Sequence, residues 1–95
     1  MATLEELRDE IERIDGEIID LIGRRQDCAG RVARLKYMGH LPVRNEGQRQ
    51  AVLDRVFERA VERGVDATAV QQVFELLIGM SEARQRDCLG EGNLP

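Results

Sequence analysis

The N-terminal third of the chain carries an apolar residue at nearly every third or fourth position. These positions alternate in steps of three and four from Leu4 to Leu35, a pattern typical of the inward face of an amphipathic helix. Thr3 and Glu6 have the spacing of a capping box, so we predict a first helix over about residues 4–37. At 1.5 Å per residue this helix would be about 50 Å long, whereas a compact chain of this size is about 30 Å across. The pattern therefore predicts a homodimer in which two long helices share a core.

The rest of the chain predicts two shorter helices. Gly39 and Pro42 lie in the connection that ends the first helix. Asn45 and Asp66 stand at N-cap positions, and Gly64 stands at a C-terminal cap. We therefore expect one all-α domain over residues 1–95, with helices at about 4–37, 46–63 and 67–88 and a frayed tail at 90–95.

The net charge and the absence of long apolar runs argue against nucleic acid and membranes as partners. The formal net charge of -4 gives no general attraction to nucleic acid or to an anionic membrane. No apolar run approaches the roughly 20 residues that span a bilayer, and the acidic N-terminus does not resemble a signal peptide, so we expect a cytoplasmic protein.

Cys28 and Cys88 fall on apolar helical positions, which predicts reduced core cysteines. With His40 as the one histidine, we expect no metal site.

Four polar residues interrupt the apolar faces of the first and third helices. Arg25 occupies an inward position of the first helix, and Lys36 lies eleven residues further on the same side, with small residues between them. Ser81 and Gln85, at i and i+4, take the next inward turns of the third helix. If all four face one space, they form a pocket of cations and hydrogen-bond donors suited to a dianion.

Each of these residues also has a purely structural interpretation. Arg25 would need an anionic partner, because burying an unpaired guanidinium costs several kcal/mol, and a carboxylate of a partner helix would serve as well as a ligand. Lys36 lies in the last turn of its helix, where the helix dipole favours a cation. Ser81 and Gln85 could be tolerated polar positions near a helix end. No nucleophile with a paired base is available, so any chemistry would be electrostatic.

The chain resembles the all-helical (AroQ-class) chorismate mutases over nearly its whole length. The resemblance lies in LRDEIERID at 7–15, GRRQDCAGRVARLK at 23–36, HLPVRN at 40–45 and VFELLIGMSEARQ at 73–85. It implies an intertwined homodimer of three-helix subunits. It also implies the cofactor-free pericyclic rearrangement of chorismate to prephenate in aromatic amino acid biosynthesis.

The resemblance also implies roles for individual residues. Arg8 resembles the arginine that reaches across the dimer to a substrate carboxylate in the partner's site, and Arg25 resembles the one that grips a carboxylate within its own chain. Lys36 and Gln85 resemble the pair that hydrogen-bonds the ether oxygen as its bond to the ring breaks. Ser81 resembles a polar wall residue near a carboxylate.

The start of the second helix departs from the pattern of the family. Where bacterial members commonly carry an arginine and then a glutamate that reads the ring hydroxyl, this chain has Gln48 and Arg49. Gln48 also has capping-box spacing from Asn45, so it is either a cap or a site residue. We include Asn45, Gln48 and Arg49 among the candidate substrate-binding residues. A one-residue shift would let Arg49 act as the arginine, but Gln50 follows it.

This departure leaves the substrate open. Chorismate is the leading substrate, and the alternatives are 4-amino-4-deoxychorismate, used in antibiotic pathways, and isochorismate with loss of pyruvate. Arg49 near the ring would be a poor neighbour for a substrate ammonium, although Gln48 could hydrogen-bond an amine or a hydroxyl. An alternative of another class is a non-catalytic helical dimerisation or regulatory module. Such a module would not need Arg8, Arg25, Lys36 and Gln85 together.

Overall fold

The computed structural model describes residues 1–89 and contains three α-helices in that range, with no strand. Helix α1 spans Leu4–Met38, α2 spans Glu46–Arg63 and α3 spans Ala67–Leu89. The prediction of an all-α chain with a long first helix is confirmed, while the tail at 90–95 lies outside the described residues. No helix among the described residues is long and apolar enough to cross a membrane.

Side-chain caps set where the helices begin. Thr3 and Glu6 form the predicted reciprocal capping box at α1. Asn45 Oδ1 accepts the backbone N–H of Gln48 at 3.0 Å, and Asp66 Oδ1 accepts that of Ala69 at 3.1 Å. Because these oxygens satisfy amides that a helix leaves unpaired at its start, local sequence alone is enough to place the three N-termini.

Helix α3 packs against both of the other helices. Its contact with α2 contains the small core of Val52, Leu53 and Ile78. Its contact with α1 runs along the C-terminal half of that helix, where Ala29 and Ala33 are buried. Small side chains on α1 let α3 approach closely there.

Within residues 1–89 of one chain, nothing covers the N-terminal half of α1. Its apolar residues are about half exposed, as for Leu7 at 47%, Ile11 at 57% and Ile18 at 48%. The chain is accordingly elongated, with a radius of gyration of 16.7 Å, whereas a compact domain of this length has about 12 Å. These residues are inward-facing in the sequence pattern, yet neither α2 nor α3 covers them.

Cys28 differs from its prediction as a core residue. Cys88 is buried, but Cys28 is exposed. The side of α1 that carries Cys28 looks into an open cavity, described below, instead of onto a packed neighbour. An apolar position in a helical repeat therefore marks the inward face, but it does not guarantee that another side chain fills the space.

Gly64 and Gly79 give a test of how the α2–α3 turn is held. Gly64 has φ +78°, in the left-handed region, with open space around its missing side chain. Gly64→Ala should therefore lower the free energy of unfolding by about 1–2 kcal/mol through backbone strain alone. Gly79→Ala is the matched control, because Gly79 is helical and equally open, and it should raise stability by about 0.5–1 kcal/mol. Urea unfolding at one fixed protein concentration measures both changes, and the same sign for both would contradict this account.

Candidate active site

An open cavity of about 520 Å³ lies where the C-terminal half of α1, the start of α2 and the end of α3 meet. Its walls include all but one of the predicted site residues: Arg25, Lys36, Asn45, Gln48, Arg49, Ser81 and Gln85. Apolar side chains such as Val52 and Ile78 form its floor. The polar interruptions of the two amphipathic faces thus converge on one space.

Arg25 enters the cavity from α1 and is held by neutral acceptors. Its Nη1 donates to the backbone carbonyl of Leu77 at 2.9 Å and to the hydroxyl of Ser81. The Ser81 hydroxyl in turn donates to the same carbonyl at 3.1 Å. Among the described residues no carboxylate pairs with Arg25, so its positive charge is fixed in place but not neutralised.

The charge of Arg25 is held in an unfavourable setting. Burial lowers the pKa of its guanidinium from the ordinary value, and the nearby guanidinium of Arg55 lowers it further by repulsion. An arginine nevertheless stays protonated at neutral pH. A bound anion would offset both the desolvation and the repulsion, so the electrostatics around Arg25 favour a negatively charged ligand.

Lys36 and Gln85 form the second polar pair of the cavity. Lys36 Nζ donates to Gln85 Oε1 at 2.9 Å and to the backbone carbonyl of Val43. Gln85 is only 8% exposed, although it is polar. Because its oxygen faces an ammonium, its Nε2 points its two hydrogens elsewhere and can donate to a ligand. Lys36 keeps a third hydrogen for the same purpose.

The start of α2 separates the roles of Asn45 and Gln48. The side chain of Asn45 caps the helix by accepting from the backbone of Gln48. The side chain of Gln48 does not return a hydrogen bond to the backbone of Asn45, so this cap is not a full capping box. The side chain of Gln48 is therefore available to the cavity that it lines.

Arg49 is a wall residue with a partner of its own. Its Nη2 lies 3.4 Å from Glu75 Oε1 on α3. This contact offsets part of its charge and holds the guanidinium towards α3. Arg49 is thus a weaker obstacle to a substrate ammonium than the sequence alone indicates.

Arg8 is the one predicted site residue that does not line the cavity. It lies seventeen positions before Arg25 on α1, which is about 25 Å along a helix. An arginine side chain cannot bridge that distance, so Arg8 does not act in the cavity of its own chain.

Two charged wall residues escaped the sequence analysis. Arg55, on α2, and Glu82, on α3, both line the cavity. Glu82 continues the row of Val70, Phe74 and Ile78 in steps of four, so it does interrupt an apolar row of α3, whereas Arg55 interrupts none. A possible signal was available only for Glu82, which directly follows Ser81 and lies three residues before Gln85, within the same turn as both.

Comparison with known proteins gives one consistent result. Residues 7–86 match the chorismate mutase type II family model. The chain is 31% identical to the chorismate mutase of Methanocaldococcus jannaschii over 93% of this chain and 89% of the relative. It is also 31% identical to the 4-amino-4-deoxychorismate mutase of Streptomyces venezuelae, over 79% of this chain and 73% of that protein. Its identity to the bifunctional chorismate mutase/prephenate dehydratase of Escherichia coli is 28%, over 87% of this chain and 22% of the longer protein.

Arg55 provides a test of the electrostatics of the cavity. Arg55→Gln removes the repulsion on Arg25, so the thermal midpoint of the protein without ligand should stay the same or rise, and added salt should shrink any gain by screening. The affinity for a dianionic ligand should fall in the same variant, because one attracting charge is lost. Thermal unfolding at low and high salt, followed by calorimetric titration, measures the two effects. A lower midpoint would contradict the placement of Arg55 beside Arg25.

Proposed function

The chain belongs to the chorismate mutase type II family, and we propose that it catalyses the cofactor-free rearrangement of chorismate or of its 4-amino analogue. The observation that carries the proposal is the cavity in which Arg25, Lys36 and Gln85 converge. Its cations suit a substrate with two carboxylates. The absence of any metal or cofactor requirement stays a prediction, as does the cytoplasmic location.

The chemistry proposed for this cavity needs no bond between protein and substrate. Holding the substrate in one folded conformer brings the two carbon atoms that must join within reach of each other. As the ether bond breaks, negative charge develops on its oxygen. Lys36 and Gln85, fixed by their mutual hydrogen bond, can donate to that oxygen without rearranging. Donors oriented before the reaction stabilise the transition state more than the ground state, and this difference is what accelerates the reaction.

Arg25 takes the role of a carboxylate clamp in this proposal. Its hydrogen bonds to Leu77 and Ser81 fix one edge of the guanidinium and leave the other donors for a bidentate contact. Binding a carboxylate there compensates a charge that the protein itself leaves unpaired. Gln48 and Arg49 would contact the ring or the second carboxylate.

We propose further that the active form is an intertwined homodimer. The exposed apolar stripe on the N-terminal half of α1 and the elongated shape support it, because a chain alone leaves that stripe in water. The midpoint between Arg8 and Arg25 falls at Gly16 and Glu17. Two antiparallel α1 helices crossing at that midpoint would bring each Arg8 level with the Arg25 of the other chain.

The assay that tests the function compares three substrates. Purified protein is given chorismate, 4-amino-4-deoxychorismate and isochorismate, and the products are identified. We expect rearrangement of at least one of the first two. Lys36→Ala should lower kcat by about 100-fold or more, because a lost donor at a developing charge costs that much. Wild-type rates in a folded Lys36→Ala protein would contradict the site, and no turnover of any substrate by the wild type would contradict the function.

Mixing two inactive variants tests the shared site. Arg8→Ala and Arg25→Ala should each be nearly inactive, since each breaks both sites of a dimer. After unfolding and refolding an equal mixture, about a quarter of wild-type activity should return, because half of the dimers are mixed and each has one intact site. The mixed dimers are counted by mass spectrometry with one variant isotopically labelled. Mixed dimers without recovered activity would show that Arg8 does not serve the partner's site.

A further inference from the structure

Glu82 is the one carboxylate among the cavity-lining residues that the structure describes. It extends from α3 directly after Ser81, and its side chain is only 16% exposed. The other charged groups of the lining are cations, from α1 and α2. A partly buried acid in such a cavity is conspicuous, because a negative charge there repels the very anions that the cations attract.

The contacts of Glu82 within the protein leave its oxygens free. Its nearest cation is Arg44, whose Nε lies 3.7 Å from Glu82 Oε2 and only 2.6 Å from Glu46 Oε1. Arg44 is thus engaged mainly by Glu46, and its contact with Glu82 is too long for a good hydrogen bond. Among residues 1–89 no other donor is bonded to the Glu82 carboxylate. No buried side-chain oxygen among these residues lacks a partner, so the Glu82 carboxylate keeps contact with the solvent of the cavity, and a donor on a ligand could reach it there.

The remaining polar groups of the cavity indicate which part of a substrate would do so. The carboxylates of the substrate belong with Arg25 and the other cations, and the ether oxygen belongs with Lys36 and Gln85. What is left is the polar substituent on the ring, which is a hydroxyl in chorismate and an amino group in 4-amino-4-deoxychorismate. Both donate hydrogen bonds, and only a protonated amine also carries a charge that Glu82 would neutralise.

We propose that Glu82 accepts a hydrogen bond from this ring substituent and thereby helps to set the preference between the hydroxyl and the amino substrate. The inference rests on the proposed function. It adds a contact from α3 to those proposed for Gln48 and Arg49 on α2, of which Arg49 also contacts Glu75. The two relatives whose names give different substrates are each 31% identical to this chain, over 93% and 79% of it, so percentage identity does not choose between them.

The experiment measures kcat/KM for both substrates in the wild type, Glu82→Gln and Glu46→Gln. Glu82→Gln keeps the shape of the side chain and removes its charge. Glu46→Gln is the matched control, because Glu46 contacts the same Arg44 but does not line the cavity. If the wild type converts only one substrate, the inhibition constant of the other is measured against it. Circular dichroism verifies that each variant is folded.

The expected result is a change in substrate preference. Glu82→Gln should lower the ratio of amino to hydroxyl kcat/KM by about 10- to 100-fold, since a hydrogen bond between two charged groups is replaced by a weaker one while a hydroxyl can still donate to the amide oxygen. Glu46→Gln should change the ratio by less than about 2-fold, because its charge is exposed to solvent and screened.

Other outcomes overturn the inference. An unchanged ratio in Glu82→Gln would make the residue a structural neighbour of Arg44, even if both rates fall equally. An equal shift in Glu46→Gln would make the effect one of general charge and not of contact. In both cases the wild type still turns over a substrate, so the proposed function survives. A wild type inactive on both substrates overturns the proposed function and the inference together.

Discussion

The site depends on one guanidinium that is partly removed from water and has no counterion among residues 1–89. Arg25 is tolerated because a backbone carbonyl and a hydroxyl of α3 accept its hydrogen bonds, and these neutral groups orient it without cancelling its charge. A carboxylate in their place would have satisfied Arg25 and abolished its attraction for an anion. The same arrangement recurs at Lys36, which is held by an amide oxygen and a carbonyl. Both cations are therefore rigid and still electrostatically unsatisfied, which is the condition for binding and stabilising negative charge.

Much of the fold follows from local rules that a single sequence displays. The capping residues Thr3, Asn45 and Asp66 satisfy helix N-termini within three residues of themselves, so no knowledge of the rest of the chain is needed to place them. The length of α1 follows from its uninterrupted repeat. The repeat does not reveal whether another side chain packs against each inward position. Ile11 and Cys28 both lie on the inward face of α1, yet one is exposed for want of a neighbour and the other lines a cavity.

The residues of the candidate site can be predicted from the sequence where they are polar at positions of an apolar helical stripe. Four residues stand out because they are polar where apolar residues are expected: Arg25, Lys36, Ser81 and Gln85. Arg55 does not stand out, because a charged residue is expected at its position. Glu82, in contrast, follows Val70, Phe74 and Ile78 in steps of four, on the flank of the stripe that carries Ser81 and Gln85. Whether such a residue faces solvent or a cavity depends on how α2 and α3 are rotated about their axes, and that rotation is a property of tertiary packing. The residues that tune a site can therefore be harder to predict than those that build it.

Each of the two cations is held by a hydrogen bond to a side chain far along the chain. Arg25 and Ser81 are separated by 56 positions, and Lys36 and Gln85 by 49. During synthesis, α1 and α2 leave the ribosome before either acceptor exists, and their helices can form from local bonds alone. The wall of the cavity on α3 is complete only when residues 78–85 have emerged. A chain that terminates before Ser81 would keep both cations and their backbone acceptors, while lacking the two side chains that help to orient them.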